Sequence, residues 1–262
     1  MSEVLRVARD GPFATLTLAR PEVRNAFNAE LIEELRRAFE ALATEPPDGL
    51  RGAVLAGEGK TFSAGADVTW MRAAMALSVE NNERDASALQ AMFEAIESCP
   101  VPVIARVQGA ALGGGMGLCA AADIVLATDD ATFGFTETKL GIVPAVISTF
   151  VVPKIGESHA RALFATGERF GAERAMRVGL VHEVVADEAA LDARVAALLD
   201  ELRGAGPTAI REAKSLARAV GLIGLREARR RTPSIIARQR TSPEGQEGLA
   251  AFLEKRSPSW RA

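Results

Sequence analysis

The chain has 262 residues, 48% of them apolar and 25% charged, which is typical of a globular protein rather than of a disordered or collagen-like one. Its 31 basic and 34 acidic side chains give a net charge of −3, so no global positive field favours nucleic acid or an acidic membrane surface. Two cysteines, Cys99 and Cys119, support neither a disulfide framework nor a zinc site. The start lacks the pattern of a signal peptide and no apolar run could span a membrane, so we expect a cytoplasmic protein.

The first half of the sequence alternates between short apolar runs and helical patterns. Two alternating segments around Asp10-Gly11-Pro12 predict a β-hairpin. Apolar residues at helical spacing predict a helix that begins after Asn28, a good N-cap, and stops before Pro46. A second helix is predicted at 82–97, and strands are predicted at 53–56, 101–107 and 124–127. Strands that alternate with helices indicate parallel βαβ units, hence an α/β core whose sites gather at the carboxyl ends of strands.

The second half is dominated by helical patterns, and only residues 180–185 have the pattern of a strand. Helices are predicted at 157–166, 172–178, 187–203, 207–219, 222–238 and 243–255. Because no linker or compositional break separates the two halves, we expect an extension of the core rather than an independent unit. We divide the chain into a core domain, 1–195, and a C-terminal helical region, 196–262.

Two familiar motifs are incomplete. Residues 57–61 (GEGKT) resemble a phosphate-binding loop, but Val54 stands where its first glycine is required. Residues 61–65 (TFSAG) resemble a nucleophile elbow, but Thr61 replaces its first glycine. We therefore expect structural roles for the two histidines, His159 and His182, and a solvated face for the basic run 226–231.

Three other segments carry an unusual density of small residues: 62–67 (FSAGAD), 109–117 (GAALGGGMG) and 133–141 (FGFTETKLG). The first two follow predicted strands and open predicted helices, where free backbone N–H groups and the helix dipole favour a negative oxygen. Two such amides that converge would form an oxyanion hole, and consecutive glycines would let a substrate carbonyl approach the backbone. Ordinary helix–sheet packing also uses small residues, so composition alone leaves both interpretations open.

In order and spacing, the three segments resemble the crotonase superfamily, also called the enoyl-CoA hydratase/isomerase family. The resemblance runs from the first hairpin through residues 24–28 (RNAFN) to 252–256 (FLEKR), which is nearly the whole chain. It implies a crotonase (ClpP-like) α/β fold of repeated ββα units. It also implies that the region 196–262 mediates trimerisation, giving a homotrimer or a dimer of trimers, and that the substrate is an acyl-CoA thioester.

The resemblance also implies roles for individual residues. The amides of Ala66 and Gly114 match the family's oxyanion-hole donors, and Glu137 matches its second catalytic glutamate. The other expected substrate-binding positions are Arg24, Ala26, Ala64, Asp67, Gly113, Gly117, Phe252 and Lys255, with Lys255 reaching the phosphates of a neighbouring subunit's coenzyme A. Asp67 is also expected to cap a helix, and Asp123 to be structural. We expect no metal and no cofactor other than the coenzyme A of the substrate.

One position departs from the family pattern. Hydratases with two carboxylates carry a glutamate where Gly117 stands, so we expect a vacant place there that Gly117→Glu would fill. A single carboxylate suits an enoyl-CoA isomerase, although one glutamate can also serve hydration or dehydration. Residues 62–71 (FSAGADVTWM), 107–118 (VQGAALGGGMGL) and 137–148 (ETKLGIVPAVIS) resemble the bacterial methylglutaconyl-CoA and isohexenylglutaconyl-CoA hydratases, which favours hydration of a branched dicarboxyl thioester. Lys139 and Arg106 are then candidate partners of the second carboxylate. A noncatalytic CoA-binding scaffold and a thioesterase are the remaining alternatives.

Overall fold

A six-stranded sheet forms the centre of the molecule in the computed structural model, which describes residues 4–261. The nine strands, in chain order, are β1 (Leu5–Asp10), β2 (Phe13–Leu18), β3 (Gly52–Gly57), β4 (Val103–Val107), β5 (Ala110–Leu112), β6 (Ile124–Thr128), β7 (Thr132–Gly134), β8 (Arg169–Gly171) and β9 (Glu183–Val185). The central sheet has the order β1-β2-β3-β4-β6-β9, and β5, β7 and β8 form a second sheet. Only the β1–β2 and β7–β8 pairs are antiparallel.

Helices cover the sheets and form the C-terminal part of the chain. They are α1 (Ala29–Ala43), α2 (Val68–Ala74), α3 (Val79–Glu97), α4 (Gly114–Ala121), α5 (Ala145–Thr166), α6 (Ala172–Arg177), α7 (Glu188–Gly204), α8 (Pro207–Leu222), α9 (Leu225–Thr241) and α10 (Pro243–Glu254). Short 3₁₀ helices lie at Pro21–Val23, Thr136–Leu140 and Ser259–Arg261. No helix among residues 4–261 is long and apolar enough to cross a membrane.

The predicted α/β fold is confirmed, and the apolar patterns explain how it forms. The Asn28 side chain accepts a hydrogen bond from the Leu31 amide and so caps α1, as its sequence position indicates. The apolar stripe of α1 is buried, and β3 is buried along its whole length. A strand buried on both faces is expected in a mainly parallel sheet that helices cover. Because β3, β4 and β6 are parallel, their carboxyl ends meet at one edge, where the loops of the site begin.

Several elements differ from the sequence prediction. The helix predicted at 157–166 is the second part of α5, which begins at Ala145 and is interrupted at Gly156 (φ 75°, ψ 156°). The strand predicted at 180–185 is confined to β9. The start of α2 was predicted through the cap at Asp67 but its extent was not, and the three strands of the second sheet were not predicted. Each of these three strands has only three residues, too few for an alternating pattern to emerge.

The predicted division of the chain at residues 195 and 196 falls inside α7, which is continuous from Glu188 to Gly204. Leu191 and Val195 of this helix are buried against Ile104 and Leu126 of the central sheet. Helix α7 therefore belongs to the core, and a C-terminal helical region begins no earlier than Pro207 of α8. Residues 1–3 and 262, which the predicted division includes, lie outside the described residues.

Candidate active site

The first of the expected amide donors, Ala66, lies in a short ribbon formed by residues 24–27 and 64–67. The Phe27 amide donates to the Gly65 carbonyl at 2.6 Å, and the Asp67 amide donates to the Phe27 carbonyl at 2.9 Å. Because these bonds use the peptide groups on either side of Ala66, its own N–H points away from Phe27. It donates no hydrogen bond within residues 4–261. An unpaired, accessible N–H is what a substrate oxygen requires.

The second expected donor, Gly114, is the first residue of α4, so its N–H has no acceptor within the helix. The two donor segments touch, since a Cβ built on Gly65 would lie 2.7 Å from the Leu112 carbonyl oxygen and 3.2 Å from the Gly114 nitrogen. The φ of Gly65 is +90°, a conformation that other residues rarely adopt. Glycine at residue 65 is therefore what allows the two segments to approach each other.

Glu137 stands beside these donors in the 3₁₀ helix Thr136–Leu140. A Cβ built on Gly113 would lie 3.3 Å from Glu137 Oε1, so the carboxylate faces the start of α4. The hydroxyl of the adjacent Thr138 donates to the Phe164 carbonyl at 2.9 Å, which ties this short helix to α5. Glu137 Oε2 is buried and has no hydrogen-bond partner in the described chain. Burial raises the pKa of the Glu137 carboxyl, and a hydrogen bond from its own amide only partly opposes this.

The three groups share one cavity of about 330 Å³. Ala66, Gly114 and Glu137 lie in its wall, with Phe27 beside them. The rest of the wall comes from α2, the first half of α3 and residues 142–147, and it includes Trp70, Met71, Ala74, Asn82, Asp85, Ala86, Leu89, Ile142, Val143, Pro144, Ala145, Val146 and Ile147. A mainly apolar cavity with a few converging polar groups is the usual form of a small-molecule site. A ligand that enters it meets the residues of both expected amide donors and the Glu137 carboxyl group.

Asp67 has the structural role that its position indicates. Its Oδ1 accepts hydrogen bonds from the amides of Thr69 at 2.7 Å and Trp70 at 3.4 Å, so the predicted helix cap is confirmed. Its Oδ2 pairs with Arg20 at 2.9 Å. Burial alone would raise the pKa of Asp67, but these hydrogen bonds outweigh it and lower the pKa. Asp67 is buried and does not line the cavity, so the cavity gives no support to its expected substrate contact, which stays a prediction.

Two residues that position the donor ribbon were missed in the sequence. Arg20 donates to the Ala26 carbonyl at 2.5 Å in addition to its ion pair with Asp67. Asn25 is fully buried, with φ at +54°, and its side-chain amide donates to the carbonyls of Glu58 at 2.9 Å and Thr61 at 2.7 Å. Its Oδ1 accepts from the Arg20 amide. The only signal for Asn25 was the tolerance of asparagine for positive φ next to a turn.

The predicted vacancy at Gly117 is absent. A Cβ built there would lie 2.5 Å from Ile147 Cγ2 and 2.6 Å from Phe93 Cζ. The Phe93 ring in turn packs against Phe27 and Phe150, with centroids 6.3 Å and 5.6 Å away. Apolar side chains thus fill the space that a carboxylate would need, and Gly117 itself does not line the cavity. This packing corrects the expectation of a vacant acid site, whereas the expected substrate contact at residue 117 stays a prediction.

The remaining expected coenzyme A positions lie in two places. Arg24 and Ala26 belong to the donor ribbon, where the Arg24 carbonyl accepts from the Ala64 amide at 2.9 Å, and the Arg24 side chain is exposed. Gly113 is the N-cap of α4. By contrast, Phe252 is 81% exposed near the end of α10, and the exposed Lys255 follows it as the C-cap. Neither lines the cavity, so their expected contact with a neighbouring subunit's ligand stays a prediction.

Neither cation suggested for a second substrate carboxylate lies in the cavity wall. Arg106 donates to Asp192 at 2.6 Å, to Glu188 at 3.1 Å and to Gln108 at 3.0 Å. Lys139 is exposed. The described cavity wall therefore gives neither suggestion support.

Two expected structural residues are confirmed at the opposite ends of β4 and β6 from the site. Asp123 accepts from the Val103 amide at 2.7 Å and pairs with Lys214 at 2.6 Å. His182 Nδ1 accepts from the Val125 amide at 3.0 Å. These contacts hold the sheet together rather than contribute to the cavity.

Comparison with known proteins identifies the family. The sequence model described as enoyl-CoA hydratase/isomerase matches residues 9–262. The chain belongs to the enoyl-CoA hydratase/isomerase family. The family assignment from the three small-residue segments is thereby confirmed, as is an enzyme of the hydratase/dehydratase type.

Individual members of the enoyl-CoA hydratase/isomerase family match over nearly their whole length. A carnitinyl-CoA dehydratase of Escherichia coli is 34% identical and covers 100% of this chain and 99% of its own. A crystal structure of an enoyl-CoA hydratase from Shewanella pealeana superimposes with a TM-score of 0.92 at 36% identity, over 98% of this chain and 96% of its own. Pseudomonas aeruginosa AtuE superimposes with a TM-score of 0.95 at 36% identity, over 99% and 100%.

Proposed function

We propose that this enzyme adds water to, or removes it from, the Cα=Cβ bond of an enoyl-CoA thioester, with Ala66, Gly114 and Glu137 as its catalytic groups. The observation that carries the proposal is the buried Glu137 Oε2, which has no partner in the described chain yet shares a cavity with two unpaired amides. A buried carboxylate oxygen without a partner is costly and is typical of functional sites. The name carnitinyl-CoA dehydratase, borne by a relative, supports the same reaction class.

The proposed reaction uses one carboxylate for both proton transfers. Water attacks Cβ while Glu137 takes one of its protons, and the electrons of the double bond move to the thioester oxygen. The amides of Ala66 and Gly114 stabilise the resulting enolate oxygen, and one such donor is typically worth about 3 kcal/mol of barrier. The enolate then takes the proton from Glu137 at Cα. Dehydration is the reverse, and neither direction needs a cofactor beyond the substrate's own coenzyme A.

The test is Glu137→Gln, which keeps the size of the side chain but cannot accept the proton. We expect hydration of crotonyl-CoA, followed by loss of the conjugated enoyl absorbance, to fall by at least about 10²–10⁴-fold. Binding of the substrate by calorimetry should persist, because the amide donors are unchanged. The matched control is Glu173→Gln on the exposed surface of α6, which should leave the rate unaltered. Unchanged turnover in Glu137→Gln would refute the proposed role.

Isomerisation is the second candidate, because apolar side chains occupy the place of a second acid next to Gly117. In that reaction Glu137 would take a proton from Cα of a 3-enoyl-CoA and return it at the γ carbon. The same absorbance distinguishes the two reactions, since isomerisation creates the conjugated band and hydration removes it. Release of free coenzyme A thiol would instead indicate a thioesterase. Binding without any turnover would indicate a scaffold.

A methylglutaconyl-CoA type of substrate, which the sequence resemblance favours, carries a second carboxylate that requires a positive partner. The cavity wall of the described chain contains no Lys or Arg. It contains Asp85, which would repel a second carboxylate. This wall gives the dicarboxyl substrate no support, and assays with methylglutaconyl-CoA beside crotonyl-CoA test it directly.

We also propose a trimer or a dimer of trimers, as the sequence resemblance implies. Large apolar side chains on the last three helices are exposed in the single chain, among them Leu222, Leu225, Ile236, Leu249, Phe252 and Leu253. Such surfaces support contacts between subunits. Light scattering coupled to gel filtration measures the mass, and a monomer at micromolar concentration would contradict the proposal.

A further inference from the structure

A second cavity, of about 870 Å³, lies between helix α8 and the end of α4. In the described chain, it shares no lining residue with the cavity that contains Glu137. Gly114, in the wall of the Glu137 cavity, begins α4, whereas residues 120–122 at the other end of this helix line the second cavity. Because α4 has eight residues, its two ends are about 12 Å apart. The second cavity is therefore a separate space, and its volume suits a small molecule.

The wall of the second cavity is mainly apolar. Alanine side chains come from successive turns of α8, at Ala209, Ala213 and Ala217, and from residues 120–122. These side chains are short, so the helix and the core leave space between them. A ligand with an apolar body would bury this surface, which is favourable in proportion to the area removed from water.

Five charged side chains also line the second cavity, and four of them form ion pairs. Lys214 pairs with Asp123 at 2.6 Å, and Arg218 pairs with Glu97 at 2.6 Å. The fifth is Lys154 of α5, which has no acidic partner within residues 4–261. The described wall therefore carries one positive charge that no acidic side chain balances.

The contacts that Lys154 does make leave part of its charge uncompensated. Its ammonium donates to the carbonyls of Cys119, at 3.3 Å, and Ala122, and so caps the end of α4. A cation is favourable there, but a helix end carries only about half an elementary charge. An ammonium has three donors, and the third has no acceptor in the described part of the chain. Burial lowers the pKa of Lys154, and the nearby Asp123 carboxylate opposes this only in part.

A partly buried charge in an apolar wall is costly unless it is paired, so the two properties of this cavity point to one kind of ligand. A carboxylate would accept the third N–H of Lys154 in a charge-assisted hydrogen bond. An aliphatic chain attached to that carboxylate would cover the alanine side chains of α8.

We propose that the second cavity binds an aliphatic monocarboxylate, with its carboxylate on Lys154 and its chain against the alanine side chains of α8. Charge complementarity and the apolar wall carry this inference. It assigns a ligand to a site that the proposed reaction does not use, so it stands or falls independently of the proposed function. It also gives Lys154 no part in the proton transfers.

The experiment measures binding of octanoate, octan-1-ol and octylammonium to the assembled enzyme by titration calorimetry. Saturating butanoyl-CoA is present throughout, so that the Glu137 cavity is occupied. We expect octanoate to bind about tenfold or more tightly than octan-1-ol, because only the carboxylate forms a charged hydrogen bond with Lys154. Octylammonium should bind most weakly, because Lys154 repels it.

Two variants of Lys154 separate its charge from the shape of the cavity. Lys154→Met should reduce octanoate binding to about the level of octan-1-ol and change octan-1-ol binding less than about threefold. Lys154→Arg keeps the charge and should keep the preference for octanoate. The matched control is Arg161→Met, which removes an exposed cation from the same helix outside the second cavity and should leave the preference unchanged.

The native enzyme alone can decide the question if Lys154→Met does not fold. Equal affinity for octanoate and octan-1-ol would overturn the inference, as would no binding of either, the result expected if a neighbouring subunit fills the cavity. Octanoate binding that butanoyl-CoA abolishes would place octanoate in the Glu137 cavity and would also overturn it. An unchanged preference in a folded Lys154→Met variant would have the same consequence.

Discussion

The packing around Gly117, inside helix α4, leaves no space for a second acidic side chain at that position. The variant Gly117→Ala tests this packing. The added methyl would lie 2.5 Å from Ile147 Cγ2 and 2.6 Å from Phe93 Cζ. Carbon atoms in good contact are about 3.5–4.0 Å apart, so the methyl would overlap each neighbour by about 1 Å. Both neighbours are buried, and a flat ring and a β-branched side chain have little freedom to move away.

The expected magnitude follows from two opposing effects. Overpacking of a well-filled core costs about 1–3 kcal/mol, and two close contacts on rigid neighbours place this site in the upper part of that range. Replacing glycine by alanine within a helix contributes about 0.8–1 kcal/mol in the other direction. We therefore expect the free energy of unfolding of Gly117→Ala to be about 1–2 kcal/mol lower than that of the native chain. Gly117→Glu should be destabilised further, because it also buries a charge, and should gain no hydratase activity.

The assay is urea denaturation at one fixed protomer concentration, since assembly adds to apparent stability. The matched control is Gly221→Ala in α8, where an added Cβ would meet nothing within 4 Å. That variant should be more stable than the native chain by about 0.5–1 kcal/mol, because it has the helix benefit without the overlap. If Gly117→Ala is as stable as Gly221→Ala, the space beside Gly117 is open and the argument that it excludes a second acid is refuted.

Two further predictions concern Glu137 and Asn25. Hydration and dehydration both start from ionised Glu137, and burial raises the pKa of its carboxyl. We therefore expect kcat/KM to fall as the pH falls through a pKa above that of an ordinary glutamate, 4.5. An unchanged rate down to pH 4.5 would contradict this prediction. Asn25→Ala leaves the carbonyls of Glu58 and Thr61 unpaired and puts alanine at positive φ. We therefore expect its free energy of unfolding, measured in urea, to be about 2–4 kcal/mol lower than that of the native chain. A loss below about 1 kcal/mol would contradict this prediction.

The parts of the fold that could be predicted from sequence are those with a long, regular apolar pattern. Helix α1 has a continuous buried stripe and a capping residue, and both were visible in the sequence. Helix α2 has only seven residues and no buried side chain, so its sequence carries no such stripe. The start of α5 follows Pro144, and the interruption at Gly156 breaks its pattern. These elements depend on contacts with distant parts of the chain, which local periodicity does not record.

The site divides in the same way. Glycine runs at helix starts predict accessible amides, because the first N–H groups of a helix have no acceptor within it and glycine has no Cβ to cover them. Glu137 was distinguished from the other acidic residues only by the resemblance to a family. The packing beside Gly117 could not be predicted, because Phe93 and Ile147 are distant in sequence and apolar residues are common. Asn25 and Asp85 were missed because a polar residue that braces a loop or lines a cavity has the same sequence pattern as a solvated one.

The apolar packing beside Gly117 also affects the pKa of Glu137, because it determines which charged groups can lie close to that carboxyl. A second carboxylate close to Glu137 would raise its pKa by repulsion, and a nearby cation would lower it. The described wall offers Glu137 no cation, and Phe93 and Ile147 deny space to an acid at residue 117. Burial is therefore the main influence on this carboxyl group. No neighbouring charge in the described chain holds this carboxyl in either its protonated or its ionised form, since burial is the main influence on its pKa. Such a carboxyl can accept a proton from water and then return it to carbon, and a hydratase with one glutamate requires both steps.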